Sequence, residues 1–253
     1  MSYCQRGKAV MERRGRRKVR HMDLADLARL RQAAYRLFST MLLYPDEERL
    51  RTVAAVAGEL RDQGDLLATF SFFSQWRELL DTLHGLSDLE LTRVQEEYIQ
   101  VFMVKPEGSP CLPYESAYLE PKGATGWIAL EREYAAAGLS LSPSLGEPPD
   151  HVAVELEFLY FLCHQEALAW EERRLHDAVE TLKWQASFLE QHLGRWFPAF
   201  ARQVGGTDNS KIYTAVTVAA QTFISHDRDL LKALVERFGC KGQQRRHNTA
   251  KKA

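Results

Sequence analysis

Residues 150–170 read DHVAVELEFLYFLCHQEALAW. Val152, Ala153, Val154, Leu156, Phe158, Leu159, Tyr160, Phe161 and Leu162 place apolar side chains around nearly the whole circumference of a helix, and such a helix is enclosed by its neighbours rather than laid on a surface. It is not a membrane span: neither this stretch nor any other approaches the roughly 20 uninterrupted apolar residues that a bilayer requires. The rest of the chain is expected to wrap around it.

Upstream, the pattern is helical almost from its start. Asp23 can cap a helix whose apolar positions Leu24, Leu27, Leu30, Ala34, Leu37, Phe38, Met41 and Leu42 recur at three and four, and Pro45 ends it. A second helix is expected over 47–62 and a third over 66–83, with Phe70, Phe73, Trp76, Leu79, Leu80 and Leu83 as its buried stripe. Ser87 and Glu90 form a capping-box pair ahead of a fourth, carrying Leu91, Val94, Tyr98, Val101 and Phe102. The stretch 105–122 then holds Pro106, Gly108, Pro110, Pro113 and Pro121, a density no helix survives, so it reads as a long loop of the kind that usually serves function. Thr125 opens a helix to about 137 with Gly138 as its C-cap, and a second break covers 142–149. Beyond the central helix, others are expected over 172–192, 199–204, 209–225 and 227–238. With no fixed-period repeat, heptad run or strand-like alternation, the fold is all-α: a single-domain bundle of about ten helices around the apolar one.

The net charge of −1 conceals an asymmetry: residues 1–21 carry +7 and 241–253 carry +5, which leaves −13 on 22–240. The domain is expected to span 22–240, between a basic N-terminal extension and a basic tail, both disordered, with Met22 able to serve as a start. An acidic body repels phosphate backbones and attracts basic peptides. The tails could be nucleic-acid arms, but they hold almost no aromatic residues for stacking. Cys4, Cys111, Cys163 and Cys240 form no CxxC pair, so reduced thiols are expected, and with no apolar leader run the chain is placed in the cytoplasm.

Two constellations carry chemistry. The first is Glu147-Pro148-Pro149-Asp150-His151, leading into the central helix. Proline suits a first turn because its missing N–H would have no partner there, and acidic residues complement the helix dipole. Those rules leave His151 unexplained. His151 and Glu155 share a helix face, with Glu166 three turns on, and polar groups on such a helix must be paired or line a site. They could be a metal pair, though without a third ligand or HExxH spacing, or an acid/base pair, though without a nucleophile motif, phosphate loop or dinucleotide fingerprint. They could equally be a buried hydrogen bond fixing the loop to the helix, or a ligand-facing cluster. A metal- or nucleotide-dependent enzyme using His151, Glu155 and Glu147 is the alternative from a different functional class. The second constellation joins Glu97, Tyr98, Val101 and Phe102 to residues 110–119, PCLPYESAYL. A proline-stiffened loop bearing Tyr114, Glu115 and Tyr118 can form an aromatic groove edged by carboxylate, which binds extended or amphipathic peptides, or its rings can simply cover the core.

Taken in chain order, Tyr98-x-x-Val101-Phe102, Pro113-Tyr114-Glu115-Ser116 with Tyr118, Tyr134 with Gly138, Glu147-Pro148-Pro149-Asp150-His151 and Glu155-Leu156-Glu157-Phe158 resemble the pattern of the TorD/DmsD/NarJ family of redox-enzyme maturation chaperones, over about 24–234. The resemblance implies an all-helical protein that is not an enzyme and needs no cofactor. Such a protein binds the twin-arginine signal peptide, or the apo form, of a molybdenum-cofactor oxidoreductase until cofactor loading is complete. Carried over by position, it assigns peptide contacts to Tyr114, Pro148, Asp150 and His151, with Tyr35, Phe73 and Trp76 as additions. Joined to the residue chemistry, the expected peptide-binding set is Tyr98, Phe102, Pro113, Tyr114, Glu115, Ser116, Tyr118, Glu147, Pro148, Asp150, His151 and Glu155. Within it, Asp150 and Glu115 are expected to take the arginines, and Tyr114, Tyr118 and Phe102 the apolar segment. No nucleic-acid partner and no stable membrane insertion are expected, and the chain is either a monomer or a dimer that exchanges elements through its long loops.

Overall fold

The computed structural model describes residues 22–68, 70, 73–104, 110–120, 124–142, 146–207 and 210–250. The 1–21 extension lies outside them, as do parts of the 105–122 loop and of the 142–149 break. Helix α1 (Leu24–Met41) starts where Asp23 is extended and its Oδ1 accepts the Asp26 N–H at 2.8 Å. Helix α2 (Glu47–Asp62) repeats the device, Asp46 accepting the Arg49 N–H at 2.8 Å, and each cap contributes about 1 kcal/mol. The helix expected over 66–83 is instead two, α3 (Gly64–Leu67) and α4 (Phe73–His84), although Phe73, Trp76, Leu79, Leu80 and Leu83 form the buried stripe foreseen.

The capping box at Ser87 does not form. Ser87 makes no side-chain cap hydrogen bond, a 3-10 turn, Asp88–Glu90, precedes α5 (Leu91–Tyr98), and the Glu90 carboxylate accepts from Arg93 at 2.6 Å. A π turn, Ile99–Met103, continues α5, and Glu97 reaches across the bundle to accept the N–H groups of Ile212 and Tyr213 at 2.6 and 3.2 Å. Helix α6 (Ala124–Ala136) closes on Gly138, whose φ of +78° lets the Leu139 N–H return to the Tyr134 carbonyl at 2.9 Å. Helix α7 (Val152–Glu171) is the enclosed helix, packed chiefly on α1 and on α8 (Leu175–Gln191).

Helix α9 (Leu193–Gly205) begins six residues earlier than expected and carries Pro198 inside it. Buried Leu193, Trp196, Phe197, Phe200, Ala201 and Val204 recur at helical spacing, and their burial outweighs the lost hydrogen bond. Gly194 is required at this junction, since a Cβ there would stand 2.4 Å from the Leu189 carbonyl oxygen. Helix α10 (Lys211–Ala250) replaces the two helices expected over 209–238, its backbone continuing through 241–250, the stretch read from the sequence as part of a basic tail. Asp227, expected to begin the second of these helices, lies inside α10 as a buried acceptor. No helix among the described residues is long and apolar enough to cross a membrane.

Within the bundle a single cation ties four helices together. Arg31 of α1 is 1% exposed and donates to Asp227 of α10, to Gln185 of α8 and, at 2.6 Å, to Glu166 of α7. Tyr35 donates to Asp227 at 2.6 Å, Gln185 Nε2 to Glu166 at 2.9 Å and Trp170 Nε1 to Glu166 at 3.0 Å. Burial opposes the charge on Arg31, but Asp227 and Glu166 outweigh it and hold its pKa well above the usual value. Glu166, read from the sequence as part of a stripe with His151 and Glu155, belongs to this node instead.

Candidate functional site

The two constellations meet. Among the described residues the only β pairing is an isolated antiparallel bridge between Tyr114 and His151. The Glu115 N–H donates to the Asp150 carbonyl at 2.9 Å and the Val152 N–H to the Pro113 carbonyl at 2.8 Å, fastening the tyrosine loop to the turn that starts α7. The Tyr114 ring stands edge-on to the His151 ring, centroids 5.3 Å apart. Asp150 Oδ2 accepts the Ser116 N–H at 3.1 Å, so the carboxylate steadies the 3-10 turn Glu115–Ala117 from across the joint. The turn has its own supports: the His151 N–H returns to the Pro148 carbonyl at 3.1 Å, and the Tyr134 hydroxyl donates to the Pro149 carbonyl at 2.9 Å. His151 is the N-cap of α7, its Nδ1 accepting the Ala153 N–H at 3.2 Å.

Beneath the joint lies a polar chain that sequence reasoning missed in part. Glu155 is fully buried and accepts from Trp196 Nε1 at 3.1 and 3.2 Å. Burial, and then the neighbouring Glu115 carboxylate with which it shares a hydrogen bond, hold the Glu155 carboxyl well above the usual carboxylate range. Glu115 in turn accepts from His192 Nδ1 at 3.0 and 3.2 Å, and His192 Nε2 faces Glu133 at 3.5 Å. Tyr118 stacks on Trp196, ring centroids 5.5 Å apart, and donates to Gln203 at 2.7 Å. His192, Glu133, Trp196 and Gln203 complete the site, yet no local pattern marks them, because their partners lie 41 to 85 residues away in the chain.

Several expectations change on this geometry. Glu115, expected to take an arginine, is already engaged by His192. Phe102 and Tyr98 are buried beneath the loop, their rings 4.8 Å apart, with Phe102 stacked on Phe200, so they form its floor rather than its surface. Tyr35, Phe73 and Trp76 are not brought to the joint: they are buried in the core, Tyr35 and Trp76 around Phe223 beside the Arg31 node. The metal pairing of His151 with Glu155 is not formed, since His151 Nδ1 caps α7 and Glu155 is engaged by Trp196, and no group of three or more candidate ligands occurs among the described residues. Tyr114, Tyr118, Glu147 and Ser116 keep partly exposed positions.

Adjoining the turn is a cleft of about 390 Å³ lined by the apolar Leu139, Leu141, Val154, Phe158 and Phe161 together with Tyr160, Arg49, Glu157, Ser140 and Ser142. Tyr134 belongs to both features, lining the cleft and holding Pro149. Arg49 also faces Glu147, whose carboxyl is raised by burial against the pull of that guanidinium.

Two histidines give the joint opposite pH limits. His192 loses to burial but gains more from Glu115 and Glu133, which raise it to about 9. Its stabilisation is therefore complete below the unfolded value of about 6.5 and is lost as pH rises through about 9. His151 is pushed down by burial to about 4, so the stability it lends above about 6.5 falls away as pH drops toward 4. Denaturation midpoints measured across pH should show the alkaline decline selectively reduced in His192→Gln, and identical alkaline limbs in variant and parent would contradict the pairing.

The chain is 30% identical over 161 residues to the chaperone protein TorD of Vibrio cholerae serotype O1 (strain ATCC 39315 / El Tor Inaba N16961), covering 63% of this chain and 71% of that one. It is 34% identical over 138 residues to a selenate reductase assembly chaperone protein of Thauera selenatis, and 33% identical over 138 residues to a chlorate reductase assembly chaperone protein of Ideonella dechloratans, each match covering 53% of this chain and 69% of the relative. These relatives bear out the resemblance drawn from the motifs. With residues 71–202, just over half its length, matching the family described as "Nitrate reductase delta subunit", the chain belongs to that family.

Proposed function

We infer that the protein is a cytoplasmic assembly chaperone for a molybdenum-cofactor reductase and that it receives a segment of that client, a twin-arginine leader or a stretch of the apo subunit, at the Tyr114–His151 joint and the adjoining cleft. The carrying observation is the bridge itself, which fastens two proline-stiffened segments into one preorganised surface and so lowers the entropy lost on binding. The apolar cleft walls suit the hydrophobic part of a leader. Glu147 at the turn and the exposed Glu157 lining the cleft are better placed for guanidinium groups than Glu115, which His192 engages, and the −13 background of 22–240 steers a basic segment toward the body. Names given to relatives, assembly chaperones of selenate and chlorate reductases, agree with a reductase client. Nothing in the joint calls for catalysis: His151 caps α7 through Nδ1, and the innermost carboxyl, Glu155, is engaged by Trp196 Nε1.

The test is titration of a labelled twin-arginine peptide against the parent chain, Tyr114→Ala and Asp150→Ala, with thermal midpoints recorded beside affinities. Each variant is expected to bind about tenfold or more weakly, as truncation of a central interface residue does. Unchanged affinity in both refutes the site.

A further inference from the structure

The turn at 150–151 holds two polar atoms for which the fold supplies no partner. Asp150 Oδ2 is bonded to the Ser116 N–H, but Oδ1 is buried without a hydrogen bond. His151 Nδ1 accepts the Ala153 N–H, which leaves the ring proton on Nε2, and Nε2 is likewise buried and unpartnered. Its ionic neighbour, the Glu147 carboxylate, stands 3.8 Å away, beyond hydrogen-bond reach. Each such atom loses its hydration without a compensating bond, and two on consecutive residues, at the joint of two proline-bearing segments, form a concentration that packing does not require.

The two atoms have opposite polarity. Asp150 Oδ1 needs a donor and His151 Nε2–H needs an acceptor. A guanidinium or an ammonium group only donates, and a carboxylate only accepts. A peptide unit does both. The neutral state of His151, imposed by burial, agrees with a ring built to give one hydrogen bond rather than to carry charge. Resting on the reading that a client segment docks at this joint, we propose that Asp150 and His151 grip the main chain of that segment, Oδ1 taking a peptide N–H and Nε2–H giving to a peptide carbonyl. Glu147, partly exposed and close to Nε2, is the group that moves aside. Recognition by Asp150 and His151 is then independent of the client's side chains, and its arginines are left to Glu147, once displaced, and Glu157.

The experiment uses the full chain and a synthetic peptide with two adjacent arginines followed by an apolar stretch, prepared as a series in which each amide in turn becomes an ester and so loses one N–H. One position in the series is expected to lose about tenfold or more in affinity for the parent chain. On Asp150→Asn, which keeps an acceptor for Ser116 but presents N–H where Oδ1 stood, that same ester should bind as well as the amide or better. In the parent chain, the ¹⁵N-edited Nε2–H resonance of His151 should move on binding the all-amide peptide, a readout that needs no variant. The proposal is overturned if every ester binds like the amide. It is equally overturned if replacing arginine by citrulline weakens binding to the parent but not to Asp150→Asn, which would place a guanidinium on Asp150. An all-amide peptide that does not bind at all overturns the docking reading beneath it, and the proposal with it.

Discussion

Replacing Arg31 by alanine should lower the unfolding free energy by about 3–5 kcal/mol, measured from denaturant midpoints. The loss comes less from a missing attraction than from what stays behind. Glu166 and Asp227 are 1% and 2% exposed, and without the guanidinium both remain buried next to polar groups arranged for a cation. A triple replacement, Arg31→Met with Glu166→Gln and Asp227→Asn, should recover a large part of the loss, because Tyr35, Trp170 and Gln185 then still find neutral partners and no unpaired charge remains. If the triple variant is as unstable as Arg31→Ala, the node's value lies in its ionic attraction and the account of it is wrong. Neither change touches the Tyr114–His151 joint, so peptide affinity measured below the unfolding transition should hold.

The second large effect is expected at Trp196. Alanine there removes a fully buried indole from the α9 core, costing about 3–5 kcal/mol, and withdraws both the surface on which Tyr118 stacks and the donor to Glu155. Phenylalanine separates these losses. It keeps a ring against Tyr118 but leaves Glu155 without its N–H, at about 1–3 kcal/mol. Both variants should loosen residues 113–118, with faster amide exchange in alanine than in phenylalanine. Equal exchange in parent and alanine variant would show that the loop is held by the bridge alone.

Much of this architecture is legible in the sequence because it is written locally. The apolar circumference of 152–162 announces an enclosed helix, Asp23 and Asp46 precede their helices as caps do, and the proline clusters at 105–122 and 142–149 mark where helices cannot run. The juxtaposition of the two constellations follows from family resemblance rather than from spacing, since nothing in either stretch encodes the register of the Tyr114–His151 bridge. What escaped is what depends on distant partners. Glu166 shares a helical face with His151 and Glu155, yet its role is set by Arg31, 135 residues away. Asp227 reads in the sequence as the first residue of a separate helix, yet it lies inside the continuous α10 and is bound by the same arginine, 196 residues away. Pro198 looks like a stop, but six buried residues at helical spacing carry the helix through it. His192 lies at a helix junction with no motif around it, although it links Glu115 to Glu133. Propensity and capping rules rank local options, and long-range polar contacts decide among them.

That a client segment lies across the junction of the tyrosine loop with the start of α7 is tested most directly by hydrogen–deuterium exchange of the full chain, with and without the twin-arginine peptide. Slowed exchange concentrated at 113–118 and 147–153, where the Glu115, Ser116, Val152 and Ala153 amides hold the two segments together, is the predicted result. Protection confined to α2 and α4, with those amides unchanged under saturating peptide, would contradict it.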